Sequence, residues 1–361
     1  MSNRLANGAF CVLPFIEEYQ YLNGSRYFCC HSKTKIDSVD SAQSDQLRQK
    51  IWSGEKIPNC AQCYQQEINK TISPRLLESS RWLKDPQVKQ YIDSWTPGTP
   101  AQVFYYDIRF DNKCNLACIS CGPSDSSLWA KELNLPIQSH SLVLDINKCL
   151  TAKKIYLAGG EPLIIDRFIE LIREISCSDQ QPELVINTNL TSLSDDLKLS
   201  LSKIAKLTMV VSIDAFEKVN EYHRWPLKWK KLINNITWLA EHTNCSIQFN
   251  SVVDAVSIVN LADLITIEHL ATHWNLYIIT SPKELSINNL PEIHKHTVLD
   301  HFKNIKNSKF YTTDITFKTR VDNIISVIPT AGNPTQLSDY ISQLDRRRGI
   351  DHEDYLKIKL T

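Results

Sequence analysis

The sequence predicts an α/β protein: a partial, TIM-like (β/α)6 barrel with a small cysteine-bearing amino-terminal module and a mostly helical carboxy-terminal region. Three observations predict it. Six short runs rich in β-branched and aromatic residues recur through the middle of the chain, amphipathic segments separate them, and each polar motif follows directly after one of the runs. The runs are 103–110, 154–158, 183–187, 207–213, 246–253 and 275–280. Between them, Phe168, Leu171, Ile172 and Ile175 recur at helical spacing, as do Leu232, Ile236 and Leu239. Strands alternating with helices imply parallel crossovers. In parallel barrels the chemistry gathers at the carboxyl ends of the strands.

The organisation read from composition has three parts: a cysteine-bearing module over 1–100, the barrel over 101–285 and a helical region over 286–361. A stretch at 73–93 reads as helical, and 93–100, rich in breakers, reads as a linker. At 361 residues and 42% hydrophobic positions the chain can bury a full core. Forty basic residues balance forty acidic ones, so no net field calls for nucleic acid or an anionic membrane. Neither a signal peptide in the first thirty residues nor an apolar run of about 18 residues is read, which predicts a cytoplasmic protein.

Eleven cysteines in a cytosolic chain point to metal ligands or buried small hydrophobes rather than disulfides. Cys149, Cys177 and Cys245 stand alone in apolar or helical contexts and read as core. The other eight fall into two sets. Cys114, Cys118 and Cys121, spaced CxxxCxxC, follow the first predicted strand. Three thiolates on one loop can hold three corners of an iron–sulfur cubane and leave the fourth iron open. A three-ligand zinc site is the alternative, although a zinc ribbon would show paired CxxC knuckles.

Gly159, Gly160, Glu161 and Pro162 follow the second strand. Only these two of the nine glycines lie between Gly122 and Gly332. Without Cβ, backbone can approach a ligand closely, so a side chain at Gly160 is expected to obstruct the ligand while sparing the metal site. An ordinary tight turn is the plainer reading.

CxxxCxxC after the first strand and GGEP after the second resemble the radical S-adenosylmethionine (SAM) enzymes. The resemblance implies a site-differentiated [4Fe-4S] cluster that binds SAM, with the cosubstrate amino group received at Gly159, Gly160 and Glu161. Reductive cleavage to a 5′-deoxyadenosyl radical and abstraction of a substrate hydrogen would follow. It also implies cosubstrate contacts at the later strand ends, from Asn189, Ser212, Asp214 and Asn250. Asp214 is followed by Ala215 where the family commonly has glycine. Arg224 is implied as a partner for the cosubstrate carboxylate, since arginine binds carboxylates bidentately. For each of these polar residues a cap or turn role is the alternative.

Cys11, Cys29, Cys30, Cys60 and Cys63 resemble the SPASM and twitch modules of these enzymes, as do the segments 107–114, 121–129 and 344–348. The resemblance implies an auxiliary [4Fe-4S] cluster on Cys11, Cys60, Cys63 and Cys29, here placed before the barrel rather than after it. Cys29 is preferred to Cys30 because adjacent side chains diverge and Gly24 precedes it at the interval usual in such modules. Structural zinc on the same four residues is the alternative. The implied partners are a peptide or small-molecule substrate and an electron donor such as flavodoxin or ferredoxin. A non-catalytic zinc or iron–sulfur binding protein is the rival class.

Overall fold

The computed structural model describes residues 8–22, 24–32, 34–69, 72–109, 111–137 and 144–356. The chain divides into two units. One comprises Met1–Asp111, Ser139–Gly159 and Cys177–Val185; the other comprises Asn112–Gln138, Gly160–Ser176 and Ile186–Thr361.

In the first unit, strands β1 (Glu17–Gln20), β2 (Arg26–Tyr27), β3 (Tyr105–Arg109) and β4 (Lys154–Ala158) lie in the order β2-β1-β3-β4. β2 is antiparallel to β1, whereas β1, β3 and β4 are parallel, with Tyr19 beside Asp107 and Asp107 beside Tyr156. β3 and β4 were expected, apart from Phe110, which lies outside the described residues. β1 and β2 were not, because strands of four and two residues carry too few positions to show a period. The amino-terminal segment thus joins the sheet through β1.

The expected helical stretch is two helices, Pro74–Trp82 and Pro86–Ser94. Ser73 and Asp85 cap their first turns, and a proline opens each. The breaker-rich segment after them is more than a linker. Its Trp95 is buried, with ring centroids 4.7 Å from Trp52 and 5.0 Å from Phe15. These rings pack with Phe10, Ile51 and Ile92 as the core of this unit.

β5 (Glu183–Thr188) contributes its first three residues to the first unit and its last three to the second. The second unit continues with β6 (Leu207–Ser212), β7 (Ser246–Val253) and β8 (His273–Ile278). These three are parallel, with Ser212 beside Asn250 and Asn250 beside Asn275. Each matches an expected strand within two residues. Helix Asp166–Cys177 buries Phe168, Leu171, Ile172 and Ile175, and helix Trp229–His242 buries Leu232, Ile236 and Leu239, the periodic positions read from sequence. Helices Glu292–Phe302, Ile315–Val327 and Pro334–Arg348 fill the late region. The α/β class and its strand–helix alternation are as expected.

Of the solitary cysteines, Cys149 is buried as expected. Cys177 is exposed at the last position of its helix and Cys245 is half-buried, so apolar neighbours in sequence misplaced both. Among the described residues no helix is long and apolar enough to cross a membrane.

Trp95→Ala is expected to destabilise the protein by about 3–5 kcal/mol, the usual cost of emptying an aromatic core site. Denaturant unfolding followed by tryptophan fluorescence measures it.

Candidate functional site

The loop carrying Cys114, Cys118 and Cys121 has no regular secondary structure, and side chains hold its backbone in place. Ser127 Oγ accepts from the Cys114 N–H at 3.0 Å, and Ser126 Oγ donates to the Leu116 carbonyl at 2.6 Å. Trp129 Nε1 donates to the Cys118 carbonyl at 2.7 Å, and backbone bonds tie Ala117 to Trp225 and Ile119 to His223. From the carboxy-terminal helix, Tyr340 Oη donates to the Ile119 carbonyl at 2.8 Å and Arg348 Nη2 to the Ala117 carbonyl at 2.7 Å. The Arg348 guanidinium also lies over the Trp129 ring, 5.1 Å from its centroid. Sequence reasoning gave Trp129 and Arg348 no role; their only signal was that 121–129 and 344–348 matched a family pattern.

The three thiols are close enough to raise one another's pKa. Burial and then Cys118 push Cys114 up to about 12, and burial followed by Cys118 raises Cys121. Burial raises Cys118 too, opposed by Arg224. Among the described residues, these sulfurs do not form a set with every ligand atom within 4.8 Å of the others. A single tetrahedral zinc ion would draw them to about 3.8 Å, given Zn–S bonds of about 2.3 Å. Soft thiolate donors suit both zinc and an iron–sulfur cluster.

Two polar groups face the sulfurs. Asn189 Nδ2 lies 3.9 Å from Cys114 Sγ and Arg224 Nη1 lies 3.8 Å from Cys118 Sγ. Arg224 is fixed from behind by Asp214, whose Oδ2 sits 2.7 Å from its Nε and 2.8 Å from His223 Nδ1. Neither approach is aligned as a hydrogen bond, so charge carries both. On the far side of the ring, His223 Nε2 meets Asp254 Oδ2 at 2.5 Å. Burial alone would lower the imidazole pKa, but Asp254 and then Asp214 raise it to about 9. Burial would raise Asp214, yet Arg224 and then His223 hold it well below the usual carboxylate range. Asp214, expected at the cosubstrate, is fully buried and works on Arg224 instead. Arg224 was expected to meet the cosubstrate carboxylate; it is 8% exposed and already engaged by Asp214 and Cys118.

The diglycine has a use other than the expected one. A Cβ on Gly160 would lie 2.3 Å from the Lys113 carbonyl oxygen, so the backbone this glycine admits belongs to the cysteine loop. The next N–H, from Glu161, donates to that same oxygen at 2.8 Å. In the first unit Gly159 has φ +130°, and a Cβ there would lie 2.8 Å from the Asp111 carbonyl oxygen. A side chain at Gly160 therefore disturbs the metal loop itself, contrary to the expectation that the metal site would be spared. The Glu161 carboxyl is fully buried and accepts from Thr188 Oγ1 at 2.5 Å, Asn189 N–H at 2.6 Å and Leu163 N–H at 3.1 Å. Its hydrogen bonds are spent inside the protein. Burial raises it to about 7 despite these donors.

Ser212, at the end of β6, and Asn250, within β7, are half-buried neighbours, and Ser212 Oγ reaches Asn187 Oδ1 at 3.4 Å. With Asn275 beside Asn250, they make a polar row that could hold a ligand.

In the first unit, Cys11, Cys29, Cys60 and Cys63 line one cavity whose walls include Leu13, Pro14 and Phe28. Cys30 does not line it, and its thiol feels Asp107, Glu17 and Arg109 instead. Burial raises all four lining thiols, Cys60 to about 11. These four sulfurs likewise yield no three within 4.8 Å of one another. The buried Arg75 beside them donates to both Glu67 carboxylate oxygens and to the Phe10 carbonyl.

The loop that carries the three thiols thus lies against Gly160 and Glu161 at the next strand end, and its thiols are a soft donor set that could hold a metal centre. Residues 108–253 match the family model described as Radical SAM superfamily, so the chain is similar to radical SAM enzymes over that span. Its curated relatives include a GTP 3′,8-cyclase of Campylobacter lari, 28% identical over 116 residues that make up 32% of this chain and 35% of that protein. Another, of Crocosphaera subtropica, is 26% identical over 187 residues, 49% of this chain and 54% of its own. The chain thus spans about a third to a half of the curated relatives it matches. Solved structures similar to it include native anSMEcpe with bound AdoMet (TM-score 0.41, 15% identity, 59% of this chain and 61% of that one). Streptococcus suis SuiB bound to precursor peptide SuiA is another (TM-score 0.38, 16% identity, 73% and 60%).

Gly160→Ala is expected to displace Lys113 and with it Cys114. The variant should purify with about 4 fewer irons per chain while keeping wild-type far-ultraviolet circular dichroism. A second expectation concerns pH. His223 has a folded pKa of about 9 against 6.5 for the ordinary imidazole, so its contribution is full below 6.5 and is lost as pH rises through about 9. Stability of the metal-free protein should fall by roughly 2–3 kcal/mol across that window, and His223→Gln should flatten the fall. Urea midpoints at a series of pH values measure it.

Proposed function

We propose that Cys114, Cys118 and Cys121 hold a site-differentiated [4Fe-4S] cluster, which with SAM generates a radical that abstracts a substrate hydrogen. The observation that carries this reading is the seating of the cysteine loop on the diglycine, where Glu161 N–H and the Gly160 backbone close on Lys113. When bound and reduced, the cluster and SAM together supply a 5′-deoxyadenosyl radical. The chain's own groups orient and tune. Asn189 and Arg224 direct N–H groups at the sulfurs, which favours the thiolate form. Asp214 and His223 hold Arg224 in place. The half-buried Ser212 and Asn250 are the groups open to bind the cosubstrate, together with the backbone of Gly159 and Gly160.

Cys11, Cys29, Cys60 and Cys63 would hold an auxiliary [4Fe-4S] cluster in the module over 1–100, before a barrel over 101–285 and a helical region over 286–361. Their common cavity supports it. Such a cluster suits oxidation, because it can accept the electron left on a product radical. The substrate would be a peptide or a polar small molecule, with flavodoxin or ferredoxin as reductant. GTP is the substrate that the names of the curated relatives carry, and it belongs among the first small molecules to assay.

Replacing Cys114, Cys118 and Cys121 together with Ala is expected to abolish 5′-deoxyadenosine formation under anaerobic reducing conditions. The protein should stay folded, brown and loaded with about 4 irons. Continued 5′-deoxyadenosine formation would remove the catalytic assignment. A colourless triple variant holding about one zinc would remove the auxiliary cluster.

A further inference from the structure

One face of the sheet in the first unit departs from what a buried parallel sheet requires. Such strands are usually apolar on both sides, and barrel interiors are filled by branched aliphatic residues. On β1, β3 and β4 the register instead aligns Glu17 with Tyr105 and Lys154, and Tyr19 with Asp107, with Arg109 one step further on the same face. The other face of β3 and β4 carries the buried Ile108, Ile155 and Leu157. Stability alone would not select two carboxyls at 3% and 2% exposure, as Glu17 and Asp107 are.

The cations on this face already have partners. Lys154 Nζ is 3.3 Å from Glu183 and 5.6 Å from the Tyr105 ring centroid. Arg109 lies 5.5 Å from the Tyr19 ring centroid, with its Nε 3.6 Å from Asp107 Oδ1 and out of hydrogen-bond alignment. The carboxyls are less well served. Glu17 Oε2 and Asp107 Oδ1 are buried without a hydrogen-bond partner, and the two groups repel one another. Arg109 and Lys154 are the cations these carboxyls feel, but Lys154 is shared with Glu183, and Glu78 adds a further negative charge at Glu17. The deficit is positive charge with N–H donors.

We propose that Glu17 and Asp107 form a binding site for a positively charged nitrogen, an ammonium or guanidinium group, presented by the substrate. Calling the ligand the substrate rests on the function proposed above; the site itself does not. Burial and then Asp107 hold Glu17 well above the usual carboxylate range, and burial raises Asp107 to about 6. A cation entering between them favours both ionised forms, so binding releases protons. The nearby Tyr19 and Tyr105 rings add faces against which an alkyl-ammonium or guanidinium can rest.

The test uses the full chain, purified anaerobically with its metal centres, and agmatine as a probe carrying both kinds of cation. Calorimetric titration near pH 6 in two buffers of different ionisation enthalpy should show saturable binding with net proton release. Glu17→Gln and Asp107→Asn should each weaken binding at least about tenfold. Glu17→Leu should abolish it while raising the melting temperature, because a ligand-directed carboxyl is a burden on the empty fold. The proposal is overturned by unchanged affinity in both variants, by no binding to the wild type, or by saturable binding of propionate instead. A lower melting temperature in Glu17→Leu, which would reveal a structural partner, also overturns it. Formation of 5′-deoxyadenosine by the wild type is scored separately, so failure of the radical chemistry and failure of the amine site give different results.

Discussion

Three segments of the second unit meet at one buried carboxylate. Glu161 is fully enclosed, takes a hydroxyl from Thr188 and N–H groups from Asn189 and Leu163, and its own N–H reaches the Lys113 carbonyl. The diglycine segment and the end of β5 are therefore fixed to one another through the buried carboxyl, and a backbone bond ties the residue before Cys114 to the same segment. A buried acceptor of this kind is costly to leave unmatched, so loss of any donor is felt by the others. Gly160 sets how close the segments come, because its absent Cβ leaves room for the Lys113 backbone. The position of Cys114 follows from that closeness.

The electrostatics of the cysteine loop point the same way. Burial raises the thiols, which disfavours the thiolates that metal needs as ligands. Counter-charge has to come from the protein or from the metal, and the protein offers Arg224 at Cys118. Arg224 could not be held beside a sulfur in so buried a place without an anion behind it, which Asp214 supplies, and Asp214 is in turn balanced by His223, whose other nitrogen meets Asp254. The row alternates in sign from sulfur to Asp254. Removing any member strands a buried charge, so these residues serve as a frame for the loop more than as independent contacts.

Much of this was legible in sequence, for identifiable reasons. Strands β3 to β8 are long enough to show their composition, and the cysteine spacing and the glycine pair mark positions where few other residues would serve. The divergence of adjacent side chains set Cys29 and Cys30 apart, the Gly24 interval of the resembled modules favoured Cys29, and Cys29 lines the cavity with Cys11, Cys60 and Cys63. What stayed hidden depends on which side of an element a residue faces, or on partners far along the chain. Trp95 lies among breakers, yet its ring completes an aromatic core built 40 and 80 residues earlier, by Trp52 and Phe15. Asp214 and Arg224 read as ligand contacts because both are polar and near a strand end. Only the fold reveals that they are turned toward each other.

The two cysteine sets lie in different surroundings, and on the proposed function the difference bears on what each would do. Cys114, Cys118 and Cys121 alternate on their loop with the buried Leu116, Ala117 and Ile119, and the loop is also held by hydrogen bonds to its backbone and faced by polar side chains. Such a frame keeps three sulfurs in place while leaving a neighbouring coordination position accessible, as chemistry at a metal requires. Cys11, Cys29, Cys60 and Cys63 instead surround an apolar cavity inside the aromatic core of the first unit, with Arg75 as the buried cation beside them. Four ligands in a low-dielectric pocket close a metal centre to exchange and suit it to gaining or losing an electron with little rearrangement. An open site for bond cleavage and a closed one for electron uptake are the two parts that oxidation of a substrate radical needs. On the proposed function the chain would divide them between separate structural contexts, a loop at the strand ends and a cavity in the core of the first unit.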